Sequence, residues 1–255
     1  MISDTASAVA TVWHEIAETL SPRGRTKDGL LPPLLILLTV VTGVVDAVAY
    51  LKLGHVFVAN MTGNVVFLGF AAAGAGGLSV GGSLIAIACF LSGGVAAARL
   101  AGRLGDNRLR QLRAATVVQA ALCAGAIVVA ATVGDSVGTG SRYALIVLLA
   151  VAMGIQNATA RRLAVPDLTT TVLTQTLTGI AADSRLGGGS GAKTVRRVLA
   201  VAAMLVGAIV GALLLLEVAP VAPLTLAGAI LAVVCGAAHR ASRKEQAAVT
   251  ERSAR

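Results

Sequence analysis

The stretch that decides the predicted fold is FVANMTGNVVFLG, residues 57–69. Three polar side chains, Asn60, Thr62 and Asn64, interrupt an apolar sequence here, and Asp46 precedes Asn60 by 14 residues. Polar groups in apolar surroundings cost free energy unless they are hydrogen-bonded. This stretch is therefore where we expect an irregular backbone and a functional site.

The composition around this stretch is that of a membrane protein. Of 255 residues, 56% are hydrophobic and 13% are charged, with a mean hydropathy of +0.84; a soluble domain has about 25% charged residues. A helix needs roughly 20 apolar residues to cross a bilayer. Six strong apolar segments meet or approach this length: 31–53, 79–98, 114–134, 143–160, 198–216 and 221–239. The predicted fold is an all-α membrane protein with six transmembrane helices.

Two weaker segments, 57–74 and 168–184, contain more Thr, Asn, Gln and Gly, and the distribution of charge indicates how they run. If both re-enter on the side from which they came, 19 of the 21 Lys and Arg residues fall on the side of the N-terminus, and only Lys52 and Arg142 lie opposite. Short cytoplasmic loops are enriched in Lys and Arg. We therefore predict two re-entrant or broken helical segments and cytoplasmic termini.

The two halves of the chain resemble each other. The sequence GVVD at 43–46 corresponds to GIQN at 154–157, and MTGN at 61–64 corresponds to LTQT at 173–176. FLSGGVAAA at 90–98 likewise shares its small-residue pattern with MLVGAIVGA at 204–212. Three spans per half is an odd number, so the second half is predicted to be inverted, as in many transporters and channels.

This repeat sets the predicted domain organisation. A single membrane domain covers residues 31–240, with halves at about 31–134 and 143–239. Residues 1–30 form a cytoplasmic tail with an amphipathic pattern, which fits either a helix on the membrane surface or a partly ordered tail. Residues 241–255 form a basic cytoplasmic tail.

The polar residues of the first half have two interpretations. A carboxylate such as Asp46 inside a span costs about 2.5–3.5 kcal/mol on insertion scales unless it faces a partner or water, which indicates an ion or proton site. Alternatively, Asp46 lies at the outer boundary of its span. Asn60, Thr62 and Asn64 would point together if the backbone were extended or broken at Gly63. Otherwise they hydrogen-bond neighbouring helices and serve the structure.

The second half contributes further polar residues at corresponding positions, whereas Gln119 is alone in its span and is interpreted as a helix–helix contact. The predicted substrate or ion pathway consists of Asp46, Asn60, Thr62, Gly63, Asn64, Gln156, Asn157, Thr174 and Thr176.

Other classes of function find no support. The chain has no catalytic motif, and its three cysteines are too scattered for a metal or disulfide pattern, so we predict no enzyme activity, metal or cofactor. The net charge is +9, but aromatic residues make up only 3%, which leaves no stacking surface for nucleic acid. The expected partners are the lipid bilayer and a small polar solute or ion, while the oligomeric state stays open.

The sequences DAVAYL (46–51) and GHVFVANMTGN (54–64) resemble the YoaK-like family of bacterial membrane proteins, a family of unknown function. The resemblance extends from about residue 31 to residue 240. It implies a multi-pass plasma-membrane protein and no particular reaction. Two hypotheses follow for the function: a small-solute or ion transporter or channel, and a non-transporting membrane scaffold or accessory subunit.

Overall fold

The structure, a computed structural model, describes residues 17, 19, 28–134, 136–165, 173–183 and 194–253, with the backbone alone from residue 244 onward. Between residues 28 and 253 the described segments form eight α-helices and no strand. The helices are α1 (Leu31–Lys52), α2 (Met61–Ala72), α3 (Val80–Leu104), α4 (Arg108–Val133), α5 (Thr139–Leu163), α6 (Leu173–Ala182), α7 (Thr194–Leu213) and α8 (Ala222–Ser253). The amphipathic pattern predicted near the N-terminus lies outside the described residues, apart from residues 17 and 19.

Three of the helices begin at residues suited to a helix N-terminus. Proline occupies the start of α1, where the missing N–H is no loss. The Ser79 side chain accepts a hydrogen bond from the Gly82 N–H at the start of α3 (3.1 Å), and Asn107 does the same for Arg110 at α4 (2.8 Å). These caps satisfy backbone donors that have no partner inside the helix.

Six of the helices are long and apolar enough to cross a membrane: α1, α3, α4, α5, α8, and α7 with a π-helical turn (Leu214–Val218) at its end. The first helix of each half, α1 and α5, is an inner helix. About 72% and 61% of their apolar stretches are buried, against 22–33% for the other four. The predicted all-α fold with six transmembrane helices is therefore confirmed, and α8 extends beyond the predicted domain end at residue 240.

Two ends of the bundle show that α2 and α6 do not cross it. At one end, the Asp28 face, Asp28 pairs with Arg108 (3.1 Å) and Arg196 (3.8 Å), and Arg108 also donates to the Leu163 carbonyl. The end of α5 and the start of α7 therefore share this face. The connection between them, which contains α6, returns to the side from which it left.

The same holds for α2 at the other end, the Tyr50 face. A Cβ placed on Gly54, just after α1, would lie 3.5 Å from the Cβ of Ser79 and 3.4 Å from Nη1 of Arg142. The end of α1 and the start of α3 are thus neighbours. Two short helical segments that enter and leave on one side, as predicted, explain both observations.

Close packing pairs the first span of each half with the second span of the other. A Cβ on Gly43 in α1 would collide with the backbone of Met204 and Ala208 in α7. The repeat predicts an equivalent contact, because Gly154 lies 111 residues after Gly43, and Phe90 and Gly94 lie 114 residues before Met204 and Ala208. The structure has this contact: a Cβ on Gly154 in α5 would collide with Phe90 and Gly94 in α3. Small residues permit such close helix approach within membranes.

The direction of α4 relative to α8 bears on the inverted repeat. Arg113, near the start of α4, contacts His239 in α8 (Nη1···Nδ1, 2.8 Å), whereas Cys123 further along α4 donates from Sγ to the Leu224 carbonyl near the start of α8 (3.6 Å). The two helices are therefore antiparallel. Eight spans would make them parallel, so this geometry supports the inverted 3+3 repeat, which stays a prediction.

Candidate functional site

Asp46 organises the loop that follows α1. Its carboxylate is buried, with Oδ1 accepting hydrogen bonds from the N–H groups of Val58 and Ala59 (both 2.9 Å) and Oδ2 accepting one from Nδ2 of Asn60 (2.6 Å). Asp46 lies six residues before the end of α1, about 9 Å inside the bundle. The loop after α1 therefore folds back into the protein to the depth of this carboxylate.

Asn64 completes the attachment of this loop. Its side-chain amide is fully buried, accepts a hydrogen bond from the Phe57 N–H (2.9 Å) and donates one to the Phe57 carbonyl (2.6 Å). Non-helical backbone at membrane depth is tolerated only where its polar groups are satisfied inside the protein. Asp46, Asn60 and Asn64 perform this task together, and we call them the loop clamp.

Aromatic packing covers the clamp on the Tyr50 face. The Tyr50 ring stacks on Phe57 (centroids 5.2 Å apart) and meets His55 edge-on (5.0 Å). Phe57 also stacks on Phe67 of α2 (5.8 Å). A Cβ on Gly63 would lie 2.6 Å from the Phe57 ring, so glycine at this position lets the ring lie against the helix.

Of the two interpretations of Asn60, Thr62 and Asn64, the one that requires an extended or broken backbone at Gly63 is wrong. Helix α2 begins at Met61 and runs through Gly63 without interruption. Alternate residues on a helix diverge instead of converging, and Thr62 is accordingly exposed while Asn64 is buried. The irregular backbone lies before α2 and not within it, so Thr62 does not join Asn60 and Asn64.

A second polar group lies where three spans meet. Gln156 of α5 donates from Nε2 to Oγ1 of Thr42 (2.7 Å) and to the Leu38 carbonyl (3.1 Å), both on α1, and its Oε1 accepts from Nε2 of Gln119 on α4 (2.6 Å). A carbonyl can only accept, so Leu38 fixes the orientation of the Gln156 amide. We call Thr42, Gln119 and Gln156 the central cluster.

The central cluster is buried near the middle of the bundle. The exposed fractions of Thr42, Gln119 and Gln156 are 0%, 1% and 2%. Thr42 and Gln119 each lie eleven residues from the Asp28-face end of their helix, which corresponds to about 16 Å. Half of a ~30 Å hydrocarbon core is a similar distance, so the cluster sits near the expected midplane.

The remaining candidates of the second half lie apart from the cluster. Asn157 donates from Nδ2 to the Met153 carbonyl of its own helix (2.9 Å), and Thr174 is exposed. Thr176 is the buried residue of α6, as Asn64 is of α2. That any of the predicted residues forms a solute pathway stays a prediction.

A cavity of about 350 Å³ opens beside the central cluster, between α3, α4 and α5 toward the Asp28 face. Half of its ten lining residues are alanine and four are polar: Ala97, Ala98, Leu100, Ala101, Gln111, Ala115, Ala158, Thr159, Arg161 and Arg162. Thr159 and Ala115 lie three and four residues from Gln156 and Gln119, respectively. One helical turn therefore separates the cavity from the cluster.

Sequence reasoning missed Thr42 and separated Gln119 from Gln156. The available signal was that both glutamines sit inside apolar spans, where a lone amide needs a partner. Their pairing depends on the angle at which α4 and α5 pack, which one sequence does not reveal. Among the described residues, no group of three His, Cys, Asp or Glu side chains is close enough to hold a metal ion.

The fold and the buried polar groups define an integral, multi-pass α-helical membrane protein. The chain belongs to the family described as protein of unknown function (DUF1275), which matches residues 34–237. It is 37% identical over 187 residues to the UPF0700 transmembrane protein YoaK of Bacillus subtilis (strain 168), covering 71% of this chain and 82% of that protein. The predicted resemblance is thus confirmed. No solved structure matches the chain.

Proposed function

We propose that this protein is a small-solute transporter or channel of the bacterial plasma membrane, with the Asp28 face in the cytoplasm. The observation that carries the proposal is a buried polar cluster at mid-depth with a cavity one turn away. Ionisable side chains that face the interior of a membrane bundle mark solute pathways, and we extend this reasoning to the uncharged cluster because a cavity lies beside it. We assign no catalytic activity to the chain.

The central cluster suits a neutral or singly charged polar solute. Its side chains are two amides and a hydroxyl, which both donate and accept hydrogen bonds. A solute that entered from the cavity, past Arg161 and Arg162 at its rim, could exchange hydrogen bonds with Gln156 and Gln119, which carry no charge themselves. The cluster also links α1 of the first half to α5 of the second, so a change in the packing of these inner helices would alter it.

The test uses a double variant that removes the amides without leaving an unsatisfied partner. In Q119L/Q156L, the Thr42 hydroxyl keeps its bond to the Leu38 carbonyl (3.0 Å). Removing both partners of a buried hydrogen bond is far less damaging than removing one. The wild-type protein and this variant are reconstituted into liposomes, and the entry of small polar solutes and ions is followed by light scattering and by ion-sensitive dyes.

We expect wild-type liposomes to be permeable to at least one solute that empty liposomes exclude, and Q119L/Q156L to lose most of that permeability. Ser92→Ala serves as the matched control, since Ser92 is exposed on α3 and bonds only its own helix (2.7 Å to the Cys89 carbonyl). If folded wild-type protein adds no permeability across the panel, the transport proposal fails.

The alternative, a non-transporting scaffold or accessory subunit, is favoured by the loop clamp. Both carboxylate oxygens of Asp46 bond the loop, and both ends of the Asn64 amide bond Phe57. A motif so occupied serves the architecture of the first half. The scaffold function predicts that clamp variants lower the folded yield. It also predicts that the wild-type protein adds no solute permeability to liposomes.

A further inference from the structure

We infer that the cavity between α3, α4 and α5 binds a small organic anion: a carboxylate or phosphate group at Arg161 and Arg162, with an attached apolar part against the alanine-lined wall. This inference deepens the proposed function. It rests on that function only for the statement that the bound ligand is also the transported solute. The binding itself is measurable without any flux.

The size and walls of the cavity indicate an organic ligand. Its volume of about 350 Å³ lies in the range of small-molecule sites, roughly 300–1,000 Å³, whose walls are mainly apolar with a few placed polar groups. Ala97, Ala101 and Ala115 form its buried wall. A bare inorganic anion would leave these apolar surfaces without a partner.

The charges at the cavity indicate that the polar end of the ligand is negative. Arg161 and Arg162 are both exposed at the last turn of α5, and no acidic residue lines the cavity. In the described part of the chain neither arginine forms an ion pair. Guanidinium groups bind carboxylate and phosphate through paired hydrogen bonds.

The repeat-related helices α7, α8 and α1 differ from α3, α4 and α5 at one wall position of the cavity. Ala97 and Ala101 of α3 correspond, 114 residues later, to Gly211 and Leu215. Leu215 is buried in the π-helical turn that ends α7, so a larger side chain occupies the position that alanine leaves open in the first half. The proposed site therefore combines α3 and α4 of the first half with α5 of the second, and α1, the counterpart of α5 in the repeat, supplies a control position.

The experiment measures the protection of a single cysteine. Ala158→Cys is placed at the cavity in the full chain without its native cysteines, and its rate of alkylation by N-ethylmaleimide is measured in nanodiscs of zwitterionic lipid. Ala47→Cys, the half-buried counterpart 111 residues earlier, is the matched control. The probes are octanoate, octyl phosphate and octyltrimethylammonium, which have the same apolar chain and differ in charge.

We expect both anionic probes to slow the alkylation of Ala158→Cys, and not that of Ala47→Cys, while the cationic probe has no effect. The change R161Q/R162Q should raise the protecting concentration at least about tenfold, the effect of losing one charge-assisted hydrogen bond. R99Q/R103Q is the control, because both arginines are exposed near the end of α3 and neither lines the cavity.

The remaining outcomes are decisive. Equal protection by the cationic probe, or protection that R161Q/R162Q leaves unchanged, overturns the site. The anionic group could belong to a soluble organic anion or to the headgroup of a membrane lipid, and nanodiscs that contain phosphatidylglycerol distinguish these two sources. If these nanodiscs protect the cysteine and octanoate adds no further protection, the ligand is a membrane lipid. Ala101→Cys repeats the measurement from the facing helix. Protection without solute flux overturns only the transport proposal, and flux without protection overturns only this site.

Discussion

The loop clamp and the central cluster are both buried polar groups in an apolar bundle, yet they differ in the reach of their hydrogen bonds. The clamp joins residues 7 to 14 positions apart within one half. The cluster joins residues 37, 114 and 118 positions apart on three helices. The clamp therefore fixes local backbone, whereas the cluster depends on how the two halves pack.

The difference separates an architectural task from a functional one. The partners of the clamp are backbone groups that would otherwise be buried without hydrogen bonds. The hydrogen bonds of the cluster mainly join its own side chains to one another. Leu or Val could occupy these positions of α1, α4 and α5 instead. Polar side chains that no backbone group needs as hydrogen-bond partners indicate a role other than holding the fold. The cavity beside the cluster suggests that this role is contact with a solute.

The largest expected effect is that of Asp46→Ala. It leaves the N–H groups of Val58 and Ala59 and the Asn60 amide without an acceptor, at about 1–3 kcal/mol for each buried group. We expect the protein to lose most of its folded yield in detergent, measured by fluorescence-detected size-exclusion chromatography.

The swap D46N/N60D tests whether hydrogen bonding or charge position matters at the clamp. It retains one amide and one carboxylate across the 2.6 Å contact, and the oxygen of the amide can still accept from the loop. We expect a yield well above that of Asp46→Ala. An equal loss in both variants would show that the carboxylate is needed at position 46 itself.

Asn64→Leu should have the next largest effect. The variant removes both hydrogen bonds to Phe57 and leaves the N–H and the carbonyl of this partly buried residue unpaired, at up to about 1–3 kcal/mol for each group. The measurement is the midpoint temperature of unfolding in detergent. Thr176→Val, at the corresponding position of α6, is the matched comparison, and a shift as large as that of Asn64→Leu would contradict a clamp confined to the first half.

The sequence predicted the spans far better than the site. Charge counts and apolar length were sufficient for six spans and two non-spanning segments, because both follow from the chemistry of a bilayer. The sequence indicated Asp46 and Asn60 as candidates, since both interrupt apolar sequence, but it did not predict that they bond each other. Thr42 was invisible because a threonine in a membrane helix commonly bonds its own backbone, and it does so here to Leu38.

Gln156→Leu should have a smaller effect on stability than Asp46→Ala or Asn64→Leu. It leaves the Gln119 amide without its partner, at about 1–3 kcal/mol, while Thr42 keeps its bond to Leu38. Q119L/Q156L should recover most of the loss, measured by the same unfolding midpoint. A double variant less stable than the single one would mean that the cluster, like the clamp, is required by the fold.

The smallest expected effect distinguishes the buried polar residues from the exposed ones of the same motifs. Thr62 and Thr174 occupy equivalent positions on α2 and α6, and both are exposed. Exposed positions without special contacts usually change stability by less than about 0.5 kcal/mol, so T62V and T174V should leave both the yield and the unfolding midpoint unchanged. Any loss of solute permeability in these variants without a loss of stability would mean that α2 and α6 line the pathway, and would move the site from the central cluster to the two non-spanning helices.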